Sequence, residues 1–276
     1  GTGPAMSASM PTEERYVVLD QPPRRLSAIL LRWEVILVIL LMLTVVVNAI
    51  VSPYFLDVYN LADATSNFSE KAIIALAMAL LILVRDIDLS VAAIIALAAM
   101  AIGYAADAGF GAPVLFAVGI GVGLLCGIFN GFLVTYIRLP SIVVTIGTMS
   151  LFRGLTQVIL GDQALTHYPQ GFLNLGQNYF IPFVKTDIPW LFVPPVPLSF
   201  LTFLVRAAIF GIVLHKTAVG RQLFAIGSTP VAARFSGIPV DRLRFILFVL
   251  SGALSGLAGA LLAARLGSMR SNIAFG

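Results

Sequence analysis

Long apolar stretches dominate this sequence, and they constrain its fold more than any other feature. A helix needs about 20 mainly apolar residues to cross the hydrocarbon core of a bilayer. Hydrophobic residues make up 59% of the 276 residues and charged residues only 11%, a balance that water-soluble globular domains do not reach. We therefore predict an all-α, polytopic transmembrane helix bundle of about seven spans. The spans are expected at 29–51, 61–84, 89–106, 113–136, 141–160, 198–214 and 245–264.

The second and third spans are the least regular of the seven. Only 72–84 and 91–106 are free of charge, and the sequence Arg85-Asp86-Ile87-Asp88 lies between them. Charged side chains are costly inside a bilayer. The sequence leaves open whether one of these two segments is a broken or re-entrant helix.

Basic residues set the expected orientation. With the amino terminus inside, the predicted cytoplasmic segments hold eleven basic residues, whereas the predicted outer loops hold Lys185, or four when the boundary positions Lys71, Arg265 and Arg270 are added. Cytoplasmic loops of membrane proteins carry an excess of Lys and Arg, so the amino terminus is expected in the cytoplasm. The expected parts are a cytoplasmic tail at 1–27, which begins with vector-derived residues at 1–5, and a transmembrane domain at 28–276 with an outer loop at 161–197 and a cytoplasmic loop at 215–244.

The cytoplasmic loop contains a predicted short helix from Pro230 to Ser236. Ser228 or Thr229 offers an N-cap oxygen, proline suits the first helical turn, and Gly237 can adopt the left-handed conformation that ends a helix. A polar, basic loop with its own helix favours a docking site for a partner. An ordinary connection between two spans is the alternative.

Small residues recur on one face of the fourth span. Four glycines are spaced by four residues, and Gly252 and Gly256 repeat the spacing in the seventh span, with Gly259 one residue out of step. Such faces let neighbouring backbones approach closely, so we predict helix packing rather than substrate contact. The glycines of the fourth span are Gly119, Gly123, Gly127 and Gly131.

Several segments together resemble one family, the ribose-type sugar permeases of ATP-binding cassette (ABC) importers. The resemblance is especially close to the members that import six-carbon deoxysugars such as rhamnose, or the sugar-like quorum autoinducer. It departs from the common pattern at Arg85-Asp86 and Ala92-Ala93, where many relatives have glycine. The segments are Asp86-Ile87-Asp88-Leu89-Ser90-Val91, Phe129-Asn130-Gly131, Leu139 to Thr148 with Arg153-Gly154, and the loop from Gly220 to Asp241.

The resemblance implies a permease subunit of the bacterial inner membrane, surrounded by lipid. It further implies a second permease subunit, identical or not, cytoplasmic ATPase subunits that bind ATP and Mg, and a periplasmic sugar-binding protein. The family continues with further helices, so this chain is expected to lack the carboxyl-terminal ones. The residues expected to couple to the ATPase are Pro230, Val231, Ala232, Ala233, Arg234, Phe235, Ser236 and Gly237.

Polar residues in or near the spans are the candidates for the substrate path. Carboxylates at 86 and 88 could bind sugar hydroxyls or cap the following helix, and Arg206 could face the path, a partner subunit or a structural ion pair. Asn130 favours a bond to a neighbouring helix over a ligand. The candidates are Asp86, Asp88, Ser90, Asn130, Thr145, Thr148, Arg153 and Arg206.

Other function classes find less support in the sequence. No lysine follows a glycine, so a phosphate-binding Walker A loop is absent, and no metal or nucleophile constellation is visible. We expect no enzyme activity, no cofactor on this chain and no nucleic-acid partner. The alternative function is an ion-coupled secondary carrier, which would need Asp86 or Asp88 as its coupling carboxylate.

Overall fold

The computed structural model describes residues 33–181, 184–185, 192–193 and 195–269, and it divides at Phe55 into two compact units. In the first unit, helix α1 covers Trp33–Val51 and consists almost entirely of apolar side chains. The remaining helices and strands belong to the second unit. Its helices are α2 (Val58–Leu83), α3 (Val91–Asp107), α4 (Ala112–Thr135), α5 (Ser141–Leu160), α6 (Gln170–Gln177), α7 (Leu198–Lys216), α8 (Ala218–Ser228), α9 (Pro230–Phe235) and α10 (Val240–Leu266).

Seven described helices correspond to the seven predicted spans. Helices α2, α4, α5, α7 and α10 have the length and mean hydropathy to cross a membrane, and α3 and the part of α1 at Val35–Val51 are shorter apolar helices. The predicted all-α polytopic bundle is confirmed. Helix α10 begins five residues before the predicted start at 245, because its first turns carry charged side chains that are paired in the fold.

The segment between α5 and α7, the predicted outer loop, contains the short helix α6 and two small antiparallel strand pairs. Strand β1 (Tyr179–Ile181) pairs with β4 (Val196–Pro197), and β2 (Val184–Lys185) pairs with β3 (Phe192–Val193). Trp190 of the predicted outer loop lies outside the described residues.

Helix α10 is the centre of the bundle and packs against α2, α3, α4 and α6. Its closest contact is with α4, where the predicted glycine faces meet. A Cβ atom on Gly123 would collide with the carbonyl oxygen of Gly252, and a Cβ atom on Gly256 would collide with that of Gly119. Gly259, which is out of step with the others, instead faces the backbone of α3 at Ile95. The predicted packing role of these glycines is confirmed.

Ionic contacts also join α2 to α10 near the end of α10. Arg265 Nε lies 2.9 Å from Glu70 Oε1, and Arg265 Nη2 donates to Asn67 Oδ1 at 2.8 Å. Glu70 is buried, so this pair fixes the carboxyl-terminal end of α10 against the first half of α2.

An apolar cluster anchors the two short helices α8 and α9 to the bundle. Leu223 and Ile226 of α8 and Ala233 of α9 are almost completely buried, and they pack with Leu81 of α2 and Phe248 of α10. Burying a leucine or isoleucine side chain contributes about 1.5–3 kcal/mol. The predicted cytoplasmic loop is therefore a folded part of the bundle.

Candidate functional site

The link between α2 and α3, residues 84–90, is the most polar buried part of the second unit. Helix α2 ends at Leu83, and Arg85, two residues further on, has a left-handed backbone conformation with φ at 68°. The amide of Arg85 donates to Ile82 O and that of Asp86 donates to Leu81 O, both at 2.9 Å. This is the Schellman arrangement, which usually has glycine at the left-handed position. The turn therefore forms here with arginine at the position that glycine usually occupies.

Asp86 makes a bidentate ion pair with Arg244 in the first turns of α10. Arg244 Nε donates to Asp86 Oδ2 at 2.6 Å, and Nη2 donates to Oδ1 at 2.7 Å. The Asp86 side chain is only 2% exposed. A carboxylate removed from water in this way needs a paired cation, and the parallel geometry of the two bonds satisfies both of its oxygens.

Asp88 sits in a buried network of hydrogen bonds that joins three helices. Its Oδ1 accepts bonds from the amide and the hydroxyl of Ser90 at 3.0 and 2.6 Å, and its Oδ2 accepts one from Ser251 Oγ of α10 at 3.0 Å. Asn130 Nδ2 of α4 donates to Ser90 Oγ at 2.8 Å. Asn130 thus bonds a neighbouring helix, as predicted, and Asp88 holds the start of α3.

These partners bear on the ion-coupled carrier alternative. A coupling carboxylate must exchange a proton or a metal cation during transport. Asp86 is occupied by a guanidinium, and Asp88 already accepts three hydrogen bonds. The geometry therefore favours a structural role for both carboxylates.

The remaining substrate-path candidates divide into two groups. Thr145 of α5 is buried beside the link, where its hydroxyl lies 2.8 Å from Ser141 O and 3.4 Å from Ile87 O. Thr148 is buried one turn further along α5. Arg153 is half-buried later in the same helix, and Arg206 lies on α7, where it donates to Thr202 O at 2.8 Å. The structure thus gathers Asp86, Asp88, Ser90, Asn130 and Thr145 around the link, away from Arg206.

Arg85 extends this site toward the two short helices. Its Nε donates to Gly227 O and its Nη2 donates to Ser228 O, both at 2.7 Å. These carbonyls belong to the last turn of α8, where backbone oxygens lack partners within the helix and a positive charge is favourable.

Helix α9 matches the predicted loop helix, with two corrections. It ends at Phe235, and Ser236 is its C-cap rather than its last residue. Thr229 occupies the N-cap but makes no capping bond with its side chain, and Ser228 Oγ donates to Ala225 O because it still belongs to α8. The predicted N-cap bond was therefore wrong. Pro230 in the first turn and left-handed Gly237, with φ at 80°, are confirmed.

The outer surface of α9 is apolar. Phe235 is 90% exposed and Val231 is 63% exposed, whereas Ala233 faces the core. Arg234 Nη2 contacts Asp241 Oδ1 of α10 at 2.5 Å. Arg234, one of the predicted coupling residues, is therefore paired with an acidic residue of this chain.

Sequence reasoning missed helix α8 and the partners of the link. Thr217, whose hydroxyl accepts a bond from the amide of Gly220 at 3.3 Å, is an N-cap signal for α8 that the sequence displays. Arg244 and Arg85, which is next to Asp86, both lie in predicted cytoplasmic segments, and this is the signal that the sequence offers for the contact. Ser251 offers no such signal, because it is a small residue within an apolar run.

Within the described ranges, no group of three or more His, Cys, Asp and Glu side chains is close enough to hold a metal ion. His167 Nδ1 and Asp107 Oδ1 are 3.3 Å apart, and His215 stacks edge-on against Phe224.

A bundle of long apolar helices with a buried polar link and short folded helices at one end is the architecture of a multi-pass membrane protein. Residues 60–276 match the family model described as "branched-chain amino acid transport system / permease component", so the chain belongs to this family. The predicted membership among ABC sugar permeases is thereby confirmed.

Curated relatives include the autoinducer 2 import system permease protein LsrD of Escherichia coli O9:H4 (strain HS), of Escherichia coli K12 and of Shigella flexneri. Each is 33% identical over 241 residues, which cover 87% of this chain and 71% of the relative. No solved structure matches the chain.

Proposed function

We propose that this chain is the transmembrane permease subunit of an ATP-driven ABC importer for a monosaccharide or a sugar-like molecule. A periplasmic binding protein would deliver the substrate, and the chain would pass it to the cytoplasm. ATP and Mg would bind to a separate cytoplasmic ATPase, and a second permease subunit would complete the path. The chain would lie in the bacterial inner membrane with its amino terminus inside. Relatives whose names state import of autoinducer 2, at 33% identity, support this substrate class.

The single observation that carries the proposal is the surface of α9. Phe235 is 90% exposed at the end of a helix whose Ala233 is buried against the bundle. A large aromatic side chain that is exposed on a firmly anchored element is typical of a contact that another subunit covers. Because α9 is anchored to the bundle, movement of a subunit bound at Phe235 would also move the parts of α2 and α10 that pack in the same apolar cluster.

For the substrate path itself, polar side chains that are not committed to the link are the better candidates. Thr148, Arg153 and Arg206 lie on α5 and α7, outside the network around Asp88. An importer that alternates access needs only weak contacts with the sugar, because the substrate must also leave.

Co-purification tests the proposal. The chain, with the candidate ATPase co-expressed, is purified as the native protein and as Phe235→Ala. Loss of the exposed ring should weaken retention of the ATPase by about tenfold or more, the effect of an interface residue worth about 1.4 kcal/mol or more. Arg234 is left unchanged, because its substitution would also break the ion pair with Asp241.

Phe110→Ala is the matched control. Phe110 is also an exposed phenylalanine, at 51%, but it lies between α3 and α4 on the side predicted to be extracytoplasmic. ATPase retention should be unchanged in this variant. If the native chain retains no ATPase, or if both variants behave alike, α9 is not the coupling helix.

A further inference from the structure

Arg85 takes part in two different helix ends at once. Its backbone closes the Schellman turn of α2, and its guanidinium binds the last two carbonyl oxygens of α8. A left-handed backbone costs a residue with a side chain more than it costs glycine. Here that conformation directs the guanidinium to the end of α8.

The contact between α2 and α8 is close as well as polar. A Cβ atom on Gly227 would collide with the carbonyl oxygen of Leu83, so the two backbones touch. Beside this contact, Leu223 and Ile226 of α8 share an apolar cluster with Val84. The end of α8 therefore cannot shift far from the end of α2 while the two bonds of Arg85 remain.

The residues that follow Arg85 connect directly to the rest of the bundle. Asp86 is paired with Arg244 of α10, and Asp88 binds Ser90 at the start of α3 and Ser251 in the middle of α10. All of these bonds have distances of 3.0 Å or less. The polar contacts that connect α8 to α10 therefore run through adjacent residues of the link at 84–90.

We propose that Arg85 is the positioning residue that transmits movement of α8 and α9 to the link at 84–90, and through it to α3 and α10. This inference rests on the proposed function, because it takes the ATPase as the source of the movement. Arg85 touches no substrate; it acts through the link. Without its guanidinium, α8 and α9 would move with the ATPase while the link stayed behind.

Two substitutions isolate this role. Arg85→Gly removes the guanidinium and keeps the turn, because glycine adopts the left-handed conformation without strain. Arg85→Lys keeps the positive charge but replaces the fixed fork of donors with a single ammonium group, so it should retain part of the effect.

Arg138→Gly is the matched control. Arg138 is the other described non-glycine residue with a positive φ, at 64°, and it too follows the end of a helix, α4. Its side chain is exposed. The two glycine variants therefore make the same backbone change, but only one of them removes the contact with α8.

Hydrogen–deuterium exchange gives a readout that a purely structural role would not move. The permease–ATPase complex is compared with and without ATP plus orthovanadate, which traps the closed ATPase. In the native chain and in Arg138→Gly, exchange should change both at 218–237 and at 84–91. In Arg85→Gly the change should persist at 218–237 and be lost at 84–91, and Arg85→Lys should give a partial change there.

The outcomes separate the two proposals. If no ATPase co-purifies with the native chain, the proposed function fails. If the ATPase binds and 218–237 responds, but 84–91 responds equally in native protein and Arg85→Gly, or in neither, the role of Arg85 is overturned.

Discussion

The pairing of Asp86 with Arg244 shows how a single residue contact can decide where a helix lies. The carboxylate is buried and the guanidinium is about one quarter exposed, so water cannot replace either partner well. Attraction between such groups offsets the cost of dehydrating them only while both are present. The pair therefore holds the first turns of α10 against the end of α2.

At this scale we predict a strong effect of removing one partner. Asp86→Asn should lower the free energy of unfolding by about 3–5 kcal/mol, because Arg244 is left without its counter-charge. Combining it with Arg244→Gln should cost less than the sum of the single changes. Unfolding in detergent can be followed with a thiol-reactive dye, since Cys126 is the one cysteine of the sequence and is buried.

The exposed pair of Arg234 and Asp241 provides the comparison. Its side chains are 49% and 37% exposed, so Arg234→Gln should cost no more than about 1 kcal/mol. Equal losses for the two pairs, or strict additivity of the Asp86 and Arg244 changes, would contradict the assigned role.

Among the elements, the contact between α4 and α10 is the tightest. Each helix places carbonyl oxygens where a side chain of the other would begin, as Gly123 and Gly252 show in both directions. Small residues at such positions allow many favourable backbone contacts, which drive helix association in lipid, where apolar burial gives little. The spacing of four residues made this face predictable from the sequence.

We predict that Gly123→Ala destabilises the bundle by about 1–3 kcal/mol or more, because the added methyl group collides with backbone that cannot move aside. Gly121→Ala, two residues away in α4, has nothing within 4 Å and should be neutral or stabilising by about 0.5–1 kcal/mol. Thermal unfolding followed by far-UV circular dichroism measures both. A similar change in the two variants would show that the collision at Gly123 does not determine the stability of this contact.

For the whole molecule, the sequence predicted what depends on composition and missed what depends on distant pairs. The spans, the orientation bias and α9 all follow from local patterns. Arg244 and Asp86 are 158 residues apart, and no periodicity links them. The left-handed Arg85 was also unpredictable, because such a turn usually has glycine. Three of the candidates for sugar contact, Asp88, Ser90 and Asn130, bind one another through hydrogen bonds.

Orientation is a prediction for the whole chain that cysteine labelling can check. In a Cys126→Ser background, Asp162→Cys and Ser236→Cys each place one thiol at an exposed position, after α5 and after α9. The excess of basic residues on the α9 side predicts that a membrane-impermeant maleimide labels intact cells at 162 and not at 236. The reverse pattern would place the amino terminus outside.

The interlocked backbones of α4 and α10 carry one more consequence. The two helices cannot slide along each other, because a shift by a fraction of a turn would bring the carbonyl oxygens of one helix into the backbone of the other. These two helices therefore form a rigid unit. In the proposed transport cycle, α4 and α10 should therefore move together as one unit. Larger movements are expected of helices with looser packing, such as α7, in which Ser199 is the one buried residue.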